Sequence, residues 1–287
     1  MRTLELTVLS DEDGLTALEL LKGRGYSRRI ITALKAGGGL TREGAALRTV
    51  DRVFSGETVR VVLTEAGGDI VPNDGITAET VYEDEDVVVF NKPPNLPTHP
   101  SRGHFDDTLA NLFAARYPGT TFRPLNRLDR DTSGLCVCAK NALAASLLAN
   151  RIEKVYYAAV DGDIRRPGGI CAPIGRVSDS IIKREVRDDG QTAQTLFDPV
   201  LWGNGRTLLR VTLLTGRTHQ IRVHMAHMGY PLCGDDMYGG DCSDIGRQEL
   251  HCGEVSFTSP ILGERIILKR PAPDDIMRLF TENLKGI

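Results

Sequence analysis

Between residues 65 and 79 the chain reads EAGGDIVPNDGITAE, a run of glycine, proline and acidic residues through which no apolar period passes. Neither a long helix nor a buried strand forms from such a composition, so the chain is expected to divide there into two units joined by a linker. Residues 1–64 make a small unit of few elements, and residues 80–287 are long enough to bury a large core. With 41% apolar and 25% charged residues, disordered and fibrous classes drop out. No apolar run reaches the roughly 18 residues that a membrane span needs, and MRTLELTVLSDEDG places acids where a signal peptide has its apolar core. A cytoplasmic protein with no membrane partner is expected. The six cysteines include no C-x-x-C pair and are too sparse for a disulfide framework, so they are read as reduced thiols.

The net charge of −3 hides a strong asymmetry. Residues 22–60 carry nine basic side chains against three acidic ones, a net +6, which leaves −9 for the remainder. In this first unit, Leu15, Leu18 and Leu21 recur at helical spacing before Gly23 and Gly25. Ser27 can cap a second helix whose Ile30, Ile31 and Leu34 form an apolar stripe, with Arg28, Arg29 and Lys35 pointing elsewhere and Gly37 to Gly39 ending it. Strands are expected at Ala46 to Val50 and Thr58 to Leu63. On SRRIITALKAGGGL and SGETVRV, the unit resembles the alpha-L RNA-binding module known from a small-subunit ribosomal protein, the S-four domain. A small basic cap with a solvated face is the competing reading.

After the linker, Val81-Tyr82 and Val87 to Phe90 flank an acidic turn in the pattern of a hairpin. Asp107 can cap a helix carrying Leu109, Leu112 and Phe113. A strand at Leu135 to Ala139 leads into a helix from Asn141 to about Glu153. Strands follow at Val155 to Val160 and Thr207 to Leu214, then a helix from Thr218 to Met228 and strands near Glu254 to Phe257 and Arg265 to Lys269. Strands and helices do not alternate, which disfavours a doubly wound parallel sheet. The expected fold is α+β, with a mixed, largely antiparallel sheet and flanking helices.

Neither G-x-G-x-x-G after a strand nor G-x-x-x-x-G-K-[ST] occurs, so the glycine-built phosphate cradles are missing, and G-x-S-x-G is absent too. No cofactor is called for. His219, His224 and His227 suggest a metal site, but at about 100° per residue the first two point about 140° apart on a helix, so no metal is expected. The dense polar strings are NRLDRDTSG at 126–134, placed directly before the apolar LCVCA, and TGRTHQIRVH at 215–224. A turn stitched by Asp and Thr hydrogen bonds and an amphipathic helix with solvated arginines are the structural readings of the two. On the helix, His219, Arg222 and Ala226 share a face by spacing, leaving Arg222 room to reach across a cleft.

NRLDRDTSG together with TGRTHQIRVHMAHMGYPLCGD resembles the RluA-type RNA pseudouridine synthases, and VYEDEDVVVFNKPPNLPTHP, KVYYAAVDG and LHCGEVSFTSP extend the resemblance in order over about residues 80–273. The resemblance implies isomerisation of uridine to pseudouridine in structured RNA, with large-subunit rRNA the first expectation and tRNA the second, by a monomer without metal. It puts the catalytic carboxylate on Asp129, the tyrosine on Tyr156 and the second arginine on Arg222. Arg127, Lys92 and His219 become RNA-binding candidates beside Arg28, Arg29 and Lys35 of the first unit. Alternation along a strand separates Tyr156 from Tyr157, so only one of them can face a cleft. Asn126 stands where the family usually has histidine, a departure expected to bear on substrate preference. An Arg222 guanidinium beside Asp129 favours the charged nucleophile, and the Tyr156 phenol is expected near the ring for late proton removal. The alternative is a noncatalytic RNA-binding protein on the same fold.

Overall fold

The computed structural model describes residues 1–65, 67–243 and 245–281; Ala66 of the expected linker and residues 282–287 of the second unit lie outside the described residues. The chain opens with a strand that the sequence reading does not anticipate, β1 (Arg2–Thr7). Helix α1 (Ala17–Gly23) begins at a capping box in which Thr16 Oγ1 accepts from the Glu19 amide at 3.3 Å and Glu19 accepts from the Thr16 amide at 2.8 Å. Helix α2 (Arg28–Gly37) starts as expected: Ser27 Oγ accepts from the Ile30 amide, and Gly38 ends the helix at φ 62°. Its Ile30, Ile31 and Leu34 are buried and its Arg28, Arg29 and Lys35 exposed.

Three strands complete the unit, β2 (Leu40–Arg42), β3 (Ala45–Ala46) and β4 (Thr58–Leu63), in the sheet order β1-β4-β2-β3. The strand expected at Ala46 to Val50 is corrected: only Ala46 belongs to one. The carbonyls that follow serve the exposed start of α1 instead, Thr49 O accepting from the Leu18 amide and Asp51 O from the Ala17 amide, both at 2.9 Å. The first turn of a helix leaves its N–H groups unpaired, and this segment satisfies two of them.

The second unit contains β5 (Glu79–Glu83), β6 (Val87–Lys92), α3 (Leu109–Arg116), β7 (Arg123–Pro124), β8 (Ser133–Ala139), α4 (Ala142–Leu148), β9 (Glu153–Asp161), β10 (Gly168–Cys171), β11 (Ile174–Arg176), β12 (Arg184–Val186), β13 (Gln194–Gly203), β14 (Arg206–Leu213), α5 (Gln220–His227), β15 (Leu250–Thr258), β16 (Arg265–Lys269) and α6 (Asp274–Thr281). Ten of these strands form one sheet whose main path runs β10-β13-β14-β9-β15-β8-β6-β5. Every pairing in it is antiparallel except β8 with β15. The mixed, largely antiparallel expectation holds. β8 is buried along its whole length, and at Gly134 (φ 109°) a side chain would run into the backbone of Cys252 on β15. Only glycine lets the one parallel pair close this tightly.

The boundaries of α3 and α4 differ from expectation. Helix α3 is capped by Thr108, whose backbone amide donates to Asn111 Oδ1 at 3.1 Å, while Asp107 pairs with His104 instead. Helix α4 stops at Leu148 because Glu153 already belongs to β9. Strand β13 and the short pieces around it carry no clean alternation in sequence and are additions.

The linker and the first unit are both fastened to the second. Arg123 pairs with Glu65 at 2.8 Å, Asn111 Nδ2 donates to Val71 O at 2.7 Å, and Ile70 and Ile76 pack on the large core. Leu143 of α4 is buried within the first unit's core, with Ala142 and Leu147 against it. Gly25, at φ 84°, lies so close to Leu147 that an added side chain would collide. Arg2 donates twice to Asp86, which also accepts from Asn141 Nδ2 at 2.6 Å. Leu143→Ala is expected to cost about 2–5 kcal/mol, the range for a buried leucine truncated to alanine, read from the urea midpoint. An unchanged midpoint would show that the seam is not packed.

Candidate active site

The segment between β7 and β8 carries Asp129, and its main chain is held from below at successive carbonyls. Thr98 Oγ1 donates to Leu128 O at 2.7 Å, Lys92 Nζ to Arg130 O at 2.9 Å, and Arg247 Nη1 to Asp131 O at 3.0 Å. Asn126 is buried, with Nδ2 donating to Leu135 O at 2.9 Å and Oδ1 accepting from the Val137 amide at 2.8 Å. Its amide laces the loop to β8, and Asn126 is not among the residues that line the pocket. Lys92 is corrected. Its ammonium is buried and spends all three N–H donors on the carbonyls of Pro93, Leu96 and Arg130, which leaves none for RNA. Burial pulls Lys92 down to about 7, while three acceptors matched to three N–H donors hold the protonated form.

Across the cleft stands the entrance to α5. His219 precedes the helix in a left-handed conformation, φ 57°, with Nδ1 2.8 Å from Tyr238 Oη and Nε2 3.7 Å from Asp129 Oδ2. Arg222 Nη1 donates to Asp129 Oδ2 at 3.2 Å. The rest of its guanidinium is taken by Asp235, Nε to Oδ2 at 2.7 Å and Nη2 to Oδ1 at 2.8 Å, and the Tyr238 ring lies 5.0 Å from the guanidinium carbon. Asp235 and Tyr238 are the functional residues that sequence reasoning missed. The signal for Asp235 was present: a buried arginine that gives one partly open carboxylate a single donor needs a second carboxylate to satisfy it, and Asp235 ends the string LCGD.

Tyr156, on β9, is 6% exposed and lines the same pocket as Asp129 and Arg222, with Arg127 and Arg217 exposed at the mouth. Tyr157 points to the other side of the sheet and reaches Glu254, as alternation requires. The pocket therefore gathers Asp129, Tyr156, Arg222, Arg127 and His219, while Arg28, Arg29 and Lys35 lie on α2, outside its lining. His219 is an inner wall of the pocket, not a surface contact, its side chain only 8% exposed. His224 spends both ring nitrogens elsewhere, on Thr195 Oγ1 and Ala172 O. Among the described residues no three His, Cys, Asp or Glu side chains are grouped to hold a metal, and no helix is long and apolar enough to cross a membrane.

The family model described as RNA pseudouridylate synthase matches residues 86–227. The uncharacterized RNA pseudouridine synthase YjbO of Bacillus subtilis is 38% identical over 93% of this chain and 98% of its own length. This chain belongs to the RNA pseudouridine synthases. The ribosomal large subunit pseudouridine synthase D of Pseudomonas aeruginosa is likewise 38% identical, over 89% of this chain and 87% of its own. Among solved structures, human RNA pseudouridylate synthase domain containing 1 superposes with a TM-score of 0.60 at 27% identity, covering 71% of this chain and 87% of that one. The protein is an enzyme that isomerises uridine in RNA.

Within the synthase, burial opposes the Arg222 charge, but hydrogen bonding and charge from Asp235, and then from Asp129, more than offset it and leave the guanidinium above its usual range. Burial pushes His219 down against the pull of Asp129, so at neutral pH the imidazole faces Asp129 uncharged. Burial, with Cys252 and Asp129 adding to it, pushes the Tyr156 phenol well up. Removing Arg222 would strand two carboxylates, one of them fully buried. Arg222→Met is expected to lose turnover and about 3–5 kcal/mol of stability, followed by urea unfolding beside the activity assay. An unchanged midpoint with normal turnover would show that the clamp carries nothing.

Proposed function

We propose that this synthase forms pseudouridine in large-subunit ribosomal RNA, with Asp129 as nucleophile. The observation that carries the reading is the Arg222 guanidinium, fixed on two sides by Asp235 and offering its remaining donor to Asp129 at 3.2 Å. The pairing holds one oxygen of Asp129 against the guanidinium while the side chain stays partly open, as attack on the anomeric carbon or on carbon 6 of the ring requires. In the reaction the bond from nitrogen 1 to the sugar breaks, the base turns, and carbon 5 joins the sugar. Tyr156 gives the uracil a flat wall. The carbon 5 proton is then removed by a base in the pocket, for which Tyr156 and Asp129 are the two candidates; burial raises the Tyr156 phenol and so weighs against it. The ribosomal substrate is supported by the Pseudomonas relative's description.

Residues 1–64 are proposed as an RNA-binding module of the S-four kind. Arg24, Arg42 and Arg48 pair with Glu12, Glu57 and Asp51, but Arg28, Arg29 and Lys35 form no ion pair among the described residues and leave α2 a charged outer face. Phosphate contacts and stacking together offset the few kcal/mol needed to draw a uridine out of its stack.

Asp129→Asn is expected to abolish tritium release from RNA labelled at carbon 5 of uridine while sparing fold and RNA affinity. Residual turnover above about 1% of wild type would defeat the assignment. Because deleting the module would uncover Leu143 and Leu147, its charge is better tested by Arg28→Ala, Arg29→Ala and Lys35→Ala together. Three lost phosphate contacts should flatten the slope of log affinity against log salt by about 2 to 3 units, and an unchanged slope would move the RNA off α2.

A further inference from the structure

Thr132 lines the pocket beside Tyr156 and Leu250, yet it is 1% exposed and its hydroxyl has no hydrogen-bond partner among the described residues. A buried unpaired hydroxyl destabilises the protein that carries it. The neighbouring hydroxyl is treated differently: Ser133 Oγ lies 2.9 Å from His251 Nδ1 and is used inside the fold. The other buried side-chain atoms without a hydrogen bond, on Tyr26, Glu65, Arg247, Glu249 and His251, do not line the pocket. Thr132 is also held in place, its backbone amide donating to Asp129 O at 3.2 Å. The orphan hydroxyl thus rides on the same loop as the proposed nucleophile.

The lining shows which part of a nucleotide meets it. Arg127 and Arg217 are exposed at the mouth, where phosphates remain, and Asp129 is partly open between mouth and interior. The buried part of the lining includes Leu128, Ile221, Leu250 and the Tyr156 ring, surfaces suited to a flat ring, and Thr132 is the buried lining side chain whose hydroxyl has nothing to bond among the described residues.

We propose that the Thr132 hydroxyl donates a hydrogen bond to a ring carbonyl oxygen of the extruded uracil. This rests on the reading of the pocket as the Asp129 active site and adds the contact that anchors the base there. A half-turn of uracil about the axis through nitrogen 3 and carbon 6 exchanges nitrogen 1 with carbon 5 and also exchanges the two carbonyl oxygens. A single hydroxyl donor therefore finds a carbonyl both before and after the base turns, and the anchor need not move during the reaction.

The test compares Thr132→Val, of the same shape without the hydroxyl, with Thr132→Ser, which keeps it. For the valine variant kcat/KM is expected to fall about tenfold or more, the loss for one buried hydrogen bond, while the melting temperature of the free protein stays level or rises. The serine variant should recover most of the activity. With RNA carrying 2-thiouridine or 4-thiouridine at the target, one analogue should bind wild type more weakly than the other, because sulfur is a poor acceptor. That difference should vanish in the valine variant. Wild-type kcat/KM in Thr132→Val, persistence of the thio difference in it, or a valine variant that melts earlier or fails to fold would each overturn the proposal, the last by showing that the hydroxyl is paired within the protein. Turnover retained by Asp129→Asn would overturn it differently, by removing the pocket reading beneath it.

Discussion

One guanidinium shared unequally between two carboxylates organises this protein. Arg222 gives two donors to Asp235, which is fully buried, and one to Asp129, which is partly open. The inequality matters. An arginine with a single carboxylate partner would settle into a bidentate pair and tie up both oxygens of Asp129. With Asp235 occupying the fork, Asp129 receives one donor and keeps an oxygen for chemistry. Tyr238 closes the arrangement, its ring against the guanidinium and its hydroxyl both bonded to His219 and accepting from the Arg184 amide, which ties the β11–β12 hairpin to the same cluster.

A clamp of this kind works only if the loop opposite it does not yield. The carbonyls of Leu128, Arg130 and Asp131 are each bonded from beneath, by Thr98, Lys92 and Arg247 in turn. Placing two cations below the loop is costly, because Lys92 is fully buried and Arg247 largely so, and it is tolerable because Lys92 has a carbonyl for each donor and Arg247 also meets Glu249 and Asp275. Burial pushes Glu249 up to about 7 against the pull of Arg247.

Local signals were the legible ones. Ser27 at its cap, the Ile30, Ile31, Leu34 stripe and the β5–β6 hairpin follow from side-chain chemistry within a few residues, and the alternation that separates Tyr156 from Tyr157 is equally local. β1 was hidden because its partner is β4, some fifty-five residues away, and only that pairing makes RTLELT a strand. Lys92 shows the limit most clearly. A lysine in a loop motif beside an RNA enzyme's active site suggests a phosphate contact, and nothing in its neighbours tells that the backbone of Arg130 will fold over it. The strings at 126–134 and 215–224 pointed to the pocket through family resemblance; the buried partners that rigidify it lie elsewhere in the chain.

The Arg247 bond to Asp131 O spans 116 residues, and the parallel pairing of β8 joins residues 133 and 134 to 251 and 252. Contacts this distant in sequence form late and slowly. During synthesis, therefore, the loop bearing Asp129 leaves the ribosome after Lys92 and Thr98 but long before Arg247, and the third tie beneath it can close only once residue 247 has emerged.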